Sequence, residues 1–158
     1  MPRLNSRQIA LLLGGVSAAL LIGAYLFQYV GGLPPCTMCW WQRYAHFAVV
    51  GLASAALVAP AAPGRALAAL AALAMLVGAG LGGFHLGVEQ GWWQGPTACS
   101  GDTLGGLTLE QLRQGLDKAR IVRCDEVLWS FLGVSMAGWN MVISGLAGLV
   151  GLGLLVKR

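Results

Sequence analysis

Four apolar stretches dominate the chain: Gln8 to Val30, Trp40 to Ala59, Ala66 to Val88 and Gly138 to Val156. Each has about the 20 residues that a helix needs to cross the hydrocarbon core of a bilayer. Composition agrees, with 57% apolar residues and only 10% charged, where a soluble domain carries about 25% charged. The expected fold is an all-α integral membrane protein: a four-helix transmembrane bundle forming one membrane domain over 1–158, with spans 8–30, 40–59, 66–88 and 138–156. Two outer loops remain, 31–39 and 89–137, and only the second is long.

Arg3 and Arg7 ahead of the first span could suggest a signal peptide. The apolar run exceeds an h-region of about 7 to 15 residues and ends in Gln28-Tyr29-Val30 without a small-residue cleavage site, so it is expected to stay as a helix. Arg3, Arg7, Arg65 in the Pro60 to Gly64 turn, and Lys157-Arg158 mark one edge, with no acid among them. That edge, and both termini with it, should be cytoplasmic by the positive-inside rule. Lys118, Arg120 and Arg123 lie on the other side and weigh against it. Trp40, Trp41, Trp92, Trp93, Trp129 and Trp139 flank helix ends on the edge opposite the basic termini, as an interfacial aromatic belt does. The net charge of +4 comes without a basic run, so nothing argues for nucleic acid.

The four cysteines sit on the tryptophan edge: Cys36 and Cys39 where the first outer loop meets the second span, Cys99 and Cys124 in the long loop. Disulfides persist in the periplasm, so cysteine and charge placement agree on one topology. In Pro34-Pro35-Cys36-Thr37-Met38-Cys39 the prolines end one helix and put Cys36 near the first turn of the next. There, free N–H groups and the helix dipole favour a thiolate. On residues alone the pair reads as a redox centre, a structural disulfide or half of a zinc site. Zinc would want Cys99 and Cys124 close-spaced too, and no metal is expected.

Cys39, Arg43 and His46 follow at i, i+4, i+7 and share a helix face. An arginine at that depth calls for a partner, either a thiolate or an anionic ligand, unless it snorkels toward lipid phosphate. Gly78, Gly82, His85 and Glu89 form a matching stripe on the third span, where small residues admit a neighbouring helix. His46 and His85 fall at similar depth, as packed residues or as a pair of haem ligands. In the long loop, Thr108 with Gln111 resembles a capping box, and Leu109, Leu112 and Leu116 make one apolar stripe. A short amphipathic surface helix is expected there, holding Cys124 near the bilayer while glycines 101, 105 and 106 leave Cys99 free to meet a soluble partner.

These residues together resemble the DsbB family of bacterial inner-membrane thiol oxidases. The resemblance runs through the Cys-x-x-Cys with Arg43 four residues on, Gly87-Val88-Glu89-Gln90, the Pro96 to Cys99 approach, Cys124-Asp125, and Trp129 to Asn140. It implies a thiol:quinone oxidoreductase that reoxidises DsbA, a soluble periplasmic thiol oxidant, and passes electrons to ubiquinone or menaquinone in the lipid. It further implies that Cys99 and Cys124 form the disulfide facing the partner, that Cys36 and Cys39 form the one facing quinone, and that Arg43 supports the quinone and the adjacent thiolate. His85, Glu89 and His46 are carried as further quinone-site candidates. Some relatives have histidine where this chain has Gln90.

Three rival readings accompany it: a quinone-linked enzyme of the vitamin K epoxide reductase kind, a haem-binding membrane electron carrier using His46 and His85, and a noncatalytic membrane protein with structural disulfides.

Overall fold

A computed structural model describes residues 4–96 and 123–156. Four long helices make up nearly all of it: α1 Ser6–Tyr29, α2 Thr37–Val58, α3 Ala61–Glu89 and α4 Met136–Val156. A small antiparallel hairpin, β1 Ser130–Phe131 and β2 Val134–Ser135, precedes α4 and pairs Ser130 with Ser135. Cys99 and the surface helix expected after Thr108 lie outside the described residues.

Local chemistry sets each boundary. Asn5 and Gln8 form a reciprocal capping box at the start of α1, each side-chain oxygen accepting the other's backbone N–H at 2.8 Å. Past Tyr29 the chain turns through Gly32 at φ +67, and Pro34-Pro35 cannot continue a helix. The link from α2 to α3 is shorter than expected. A turn over Pro60 to Gly64 was the sequence expectation, yet α3 already begins at Ala61, with Pro60 as its N-cap. Pro63 falls in the first turn, where its missing N–H costs nothing. Arg65 therefore lies within α3, and its Nη2 donates to the Leu155 carbonyl at the end of α4, 2.7 Å away.

α3 is the central element, packing against both α2 and α4, while α1 lies mainly on α2. Small residues make these approaches possible. A Cβ on Gly82 would come within 2.9 Å of the Ala137 carbonyl, and one on Gly148 within 2.7 Å of Leu76. Ile9, Leu13, Val49 and Met75 fill the apolar core away from the cysteines.

Polarity runs opposite to that of a soluble bundle. Leu11, Ile22, Leu70, Leu146 and Leu149 face outward, while Ser17, Gln42, Arg43, His46, His85 and Ser144 are buried. α1, α3 and α4 are each long and apolar enough to cross a membrane. α2 carries Gln42, Arg43 and His46 in its first half, and so falls outside that group.

Candidate functional site

The prolines deliver Cys36 as the N-cap of α2, and its Sγ accepts the Cys39 backbone N–H at 3.1 Å, as a capping oxygen would. One turn on, the Cys39 Sγ stands 2.8 Å from the Cys36 Sγ, both as free thiols. Cys36 is buried and Cys39 half-buried. Two sulfurs this close do not both ionise, and the Cys36 thiol is pushed up by its hydrogen bond with Cys39 and by burial. The help expected from the helix terminus is present in the one N–H that reaches the Cys36 sulfur, while the shared proton and burial oppose ionisation of that thiol.

Cys124 is brought to the same place from the far end of the long loop. It is fully buried, carries a disulfide, and packs in one cluster with Cys36, Met38 and Val88, with Cys39 against them. His85 links the two segments: its Nε2 lies 3.6 Å from the Cys36 Sγ, and its ring hydrogen-bonds to the Cys124 backbone. The same Nε2 is 3.9 Å from Glu89 Oε1.

The hairpin explains how Glu89 is held. Leu132 and Gly133 both take positive φ, the conformation of a two-residue hairpin loop. That loop turns Ser135 toward α3, where its hydroxyl donates to Glu89 while accepting the Gly138 N–H at the start of α4.

Arg43 is buried, at 6% exposure. Its Nη1 donates to Gln28 Oε1 at 2.5 Å and its Nη2 to the Ala24 carbonyl at 3.2 Å. The Tyr25 and Trp40 rings cover it at 4.7 and 5.0 Å. Of the partners expected for it, a thiolate or an anionic ligand, the Cys39 sulfur lies within electrostatic reach of the guanidinium. α1 also presents neutral acceptors and the Tyr25 ring face at that level, and these satisfy the fork without neutralising the charge.

Sequence reasoning missed the amides that tie the histidines together. Gln42 Nε2 is 2.9 Å from His85 Nδ1, and Asn140 Nδ2 donates to Gln42 Oε1 at 2.7 Å. His46 Nε2 meets Asn140 Oδ1 at 2.8 Å, and its Nδ1 meets Ser17 Oγ at 3.0 Å. All four imidazole nitrogens thus have protein partners, so haem ligation would have to break this network. Gln42 and Asn140 did carry a signal: each is an amide within a largely apolar stretch of sequence, where a polar side chain tends to face inward.

A cleft of about 430 Å³ opens beside these groups. Leu20, Phe27 and Trp129 supply apolar wall, while Cys39, Arg43 and His46 line its polar side. The sequence-predicted residues Cys36, Cys39, Arg43, His46, His85 and Glu89 all border it. Cys36 Sγ, Cys39 Sγ and a His85 ring nitrogen also lie within 4.8 Å of one another. That spacing suits a zinc ion as well as disulfide exchange, and the position of the ring proton decides between them.

An apolar exterior around an inward-facing cluster of cysteines and polar side chains defines a helical membrane protein built around thiol chemistry. The family model described as DsbB, Disulfide bond formation protein DsbB, matches residues 6–154. Three proteins called Disulfide bond formation protein B are similar over nearly their whole length. The one from Azoarcus sp. (strain BH72) is 34% identical, covering 100% of this chain and 96% of its own. That from Marinobacter nauticus is 32% identical over 98% and 95%, and that from Verminephrobacter eiseniae 36% over 98% and 88%. No solved structure matches. The chain belongs to the DsbB family of disulfide bond formation proteins.

Proposed function

We propose that the protein is a thiol:quinone oxidoreductase of the bacterial inner membrane that reoxidises a DsbA-like periplasmic thioredoxin-fold oxidase. The observation that carries this reading is the packing of Cys124 against Cys36 and Cys39 beside the Arg43 cleft. In the proposed topology α2 is a fourth span. Its 22 residues reach about 33 Å, and short links join it to α1 and α3. Basic flanks put both termini in the cytoplasm and the cysteine edge in the periplasm.

Electrons enter by thiol exchange. A partner thiolate attacks Cys99, the Cys99–Cys124 bond breaks, and Cys124 leaves as a thiolate. Cys124 attacks Cys36 of the oxidised inner pair, forming a Cys124–Cys36 bond and releasing Cys39 as a thiolate. The partner's second thiol frees Cys99, which returns to Cys124 and leaves Cys36 and Cys39 reduced.

The apolar walls and Arg43 fit the flat ring and oxygens of ubiquinone or menaquinone, with Cys39, His46, His85 and Glu89 around it. Bound there, a quinone supplies the sink for two electrons and two protons from the inner thiols. Arg43 orients an oxygen-bearing ring and offsets negative charge at Cys39. The test combines purified protein with reduced DsbA and quinone and follows quinone absorbance. Quinone reduction that needs all three components is expected, and its absence would overturn the proposal.

A further inference from the structure

The amide chain behind the cysteines fixes the proton on His85. A carbonyl oxygen can only accept. Asn140 Nδ2 lies 3.3 Å from the Gly78 carbonyl, which identifies it as the donor end of that amide. Gln42 Oε1 accepts from this Nδ2 at 2.7 Å, and Gln42 Nε2 donates to the Met38 carbonyl at 3.2 Å. Gln42 is thus oriented at both ends by groups whose roles are set. Its Nε2 therefore donates to His85 Nδ1 at 2.9 Å, and in the neutral ring the hydrogen must sit on Nε2.

We propose that Gln42 is a positioning residue that locks His85 as the Nε2–H tautomer, making it a hydrogen-bond donor to the Cys36 sulfur rather than a base or a metal ligand. Nε2 lies 3.6 Å from Cys36 Sγ, and the ring also hydrogen-bonds to the Cys124 backbone, so its one N–H is shared between that sulfur and that backbone. When the Cys124–Cys36 bond breaks, Cys36 leaves as a thiolate, and an N–H aimed at that sulfur stabilises the developing charge. A zinc ion among Cys36, Cys39 and His85 would need a bare Nε2 and a hydrogen on Nδ1. That hydrogen would then point at the Gln42 N–H. The arrangement therefore favours exchange chemistry over metal binding. The kinetic consequence rests on the proposed oxidase function; the tautomer does not.

The chain has only two histidines, so ¹⁵N-histidine labelling of the reduced protein in detergent gives two imidazoles, told apart with His46→Gln. The expected His85 has a bare Nδ1 and a protonated Nε2; a protonated Nδ1 in the unaltered protein overturns the proposal. Gln42→Glu puts an acceptor at Nδ1 and should protonate that nitrogen, whether by switching the tautomer or by charging the ring. An unchanged His85 spectrum in this variant also overturns it. Should Gln42→Glu fail to fold, Gln42→Met keeps the volume without the donor and should let both tautomers appear; a single retained Nε2–H form would again refute the lock. In the oxidase assay Gln42→Glu should lower kcat about tenfold with KM for reduced DsbA unchanged. An altered spectrum with unaltered kcat would refute the donor role of His85. Inactivity of the unaltered protein alongside the expected spectrum would refute the oxidase reading alone.

Discussion

Cys124 lies in the same buried cluster as Cys36, held there by packing on Met38 and Val88 and by the His85 ring, which reaches both segments. A long loop could have kept its cysteines far from the helix pair. Burying one of them against the N-cap of α2 instead costs loop entropy, and what it gains is a sulfur packed beside Cys36 and Cys39.

The two sulfurs of that pair should differ in reactivity. Alkylation needs a thiolate, and the Cys36 thiol is raised by Cys39 and by burial. A raised thiol stays protonated at neutral and mildly alkaline pH, so Cys36 should be spared there. Brief iodoacetamide treatment of reduced protein near neutral pH, followed by peptide mapping, should find the label on Cys39. Faster labelling of Cys36 would reverse the assignment.

Arg43 should act on the quinone step. It shares a cleft with Cys39, and its protein partners are neutral oxygens and ring faces. Its charge is thus available to anions that arise only during turnover. Arg43→Met should raise KM for quinone or lower kcat by about tenfold or more, with KM for reduced DsbA nearly unchanged. Arg43→Lys should recover part of the activity, because the charge survives without the planar fork. Steady-state assays varying each substrate in turn decide it, and a defect confined to the DsbA dependence would assign Arg43 to docking.

Gly82 sets the distance between α3 and α4. A Cβ there meets the Ala137 carbonyl at 2.9 Å and the Met141 N at 3.0 Å, backbone atoms that cannot rotate away. Gly82→Val should destabilise the bundle by about 1–3 kcal/mol and shift Asn140, which lies beside it. Thermal melting in detergent checks the first effect and oxidase activity the second; a variant with unaltered melting would show that the helices can part without cost.

Orientation is testable with an impermeant thiol reagent. Reduced cysteines of both outer loops should label in intact spheroplasts, whereas a cysteine introduced by Arg65→Cys, exposed at the α2–α3 end, should label only after the membrane is opened. The opposite pattern would invert the topology.

Much of the architecture was legible because long apolar stretches are repetitive in character: all four became helices, and the two prolines placed Cys36 at a helix start. Arg43, His46, His85 and Glu89 were legible as inward faces, since helical spacing fixes which residues share a side. What escaped depends on pairings between distant segments. Gln42 meets His85, and Asn140 meets His46, only once α2, α3 and α4 are in register. The neutral partners of Arg43 come from one turn of α1, whose rotation no local pattern specifies. The hairpin was invisible because its strands are two residues long, too short for alternation to show. Pro63 looked like part of a turn and proved to be a first-turn helix residue.

The central claim is that electrons cross from the loop pair to the helix pair through a Cys124–Cys36 bond. A protein carrying Cys39→Ser and Cys99→Ser keeps only those two cysteines, and non-reducing peptide mapping after mild oxidation reads their linkage directly. A Cys36–Cys124 disulfide in most molecules is the predicted result, because the two already share one buried cluster. Two free thiols under the same conditions, in a protein that still melts cooperatively, would contradict the account.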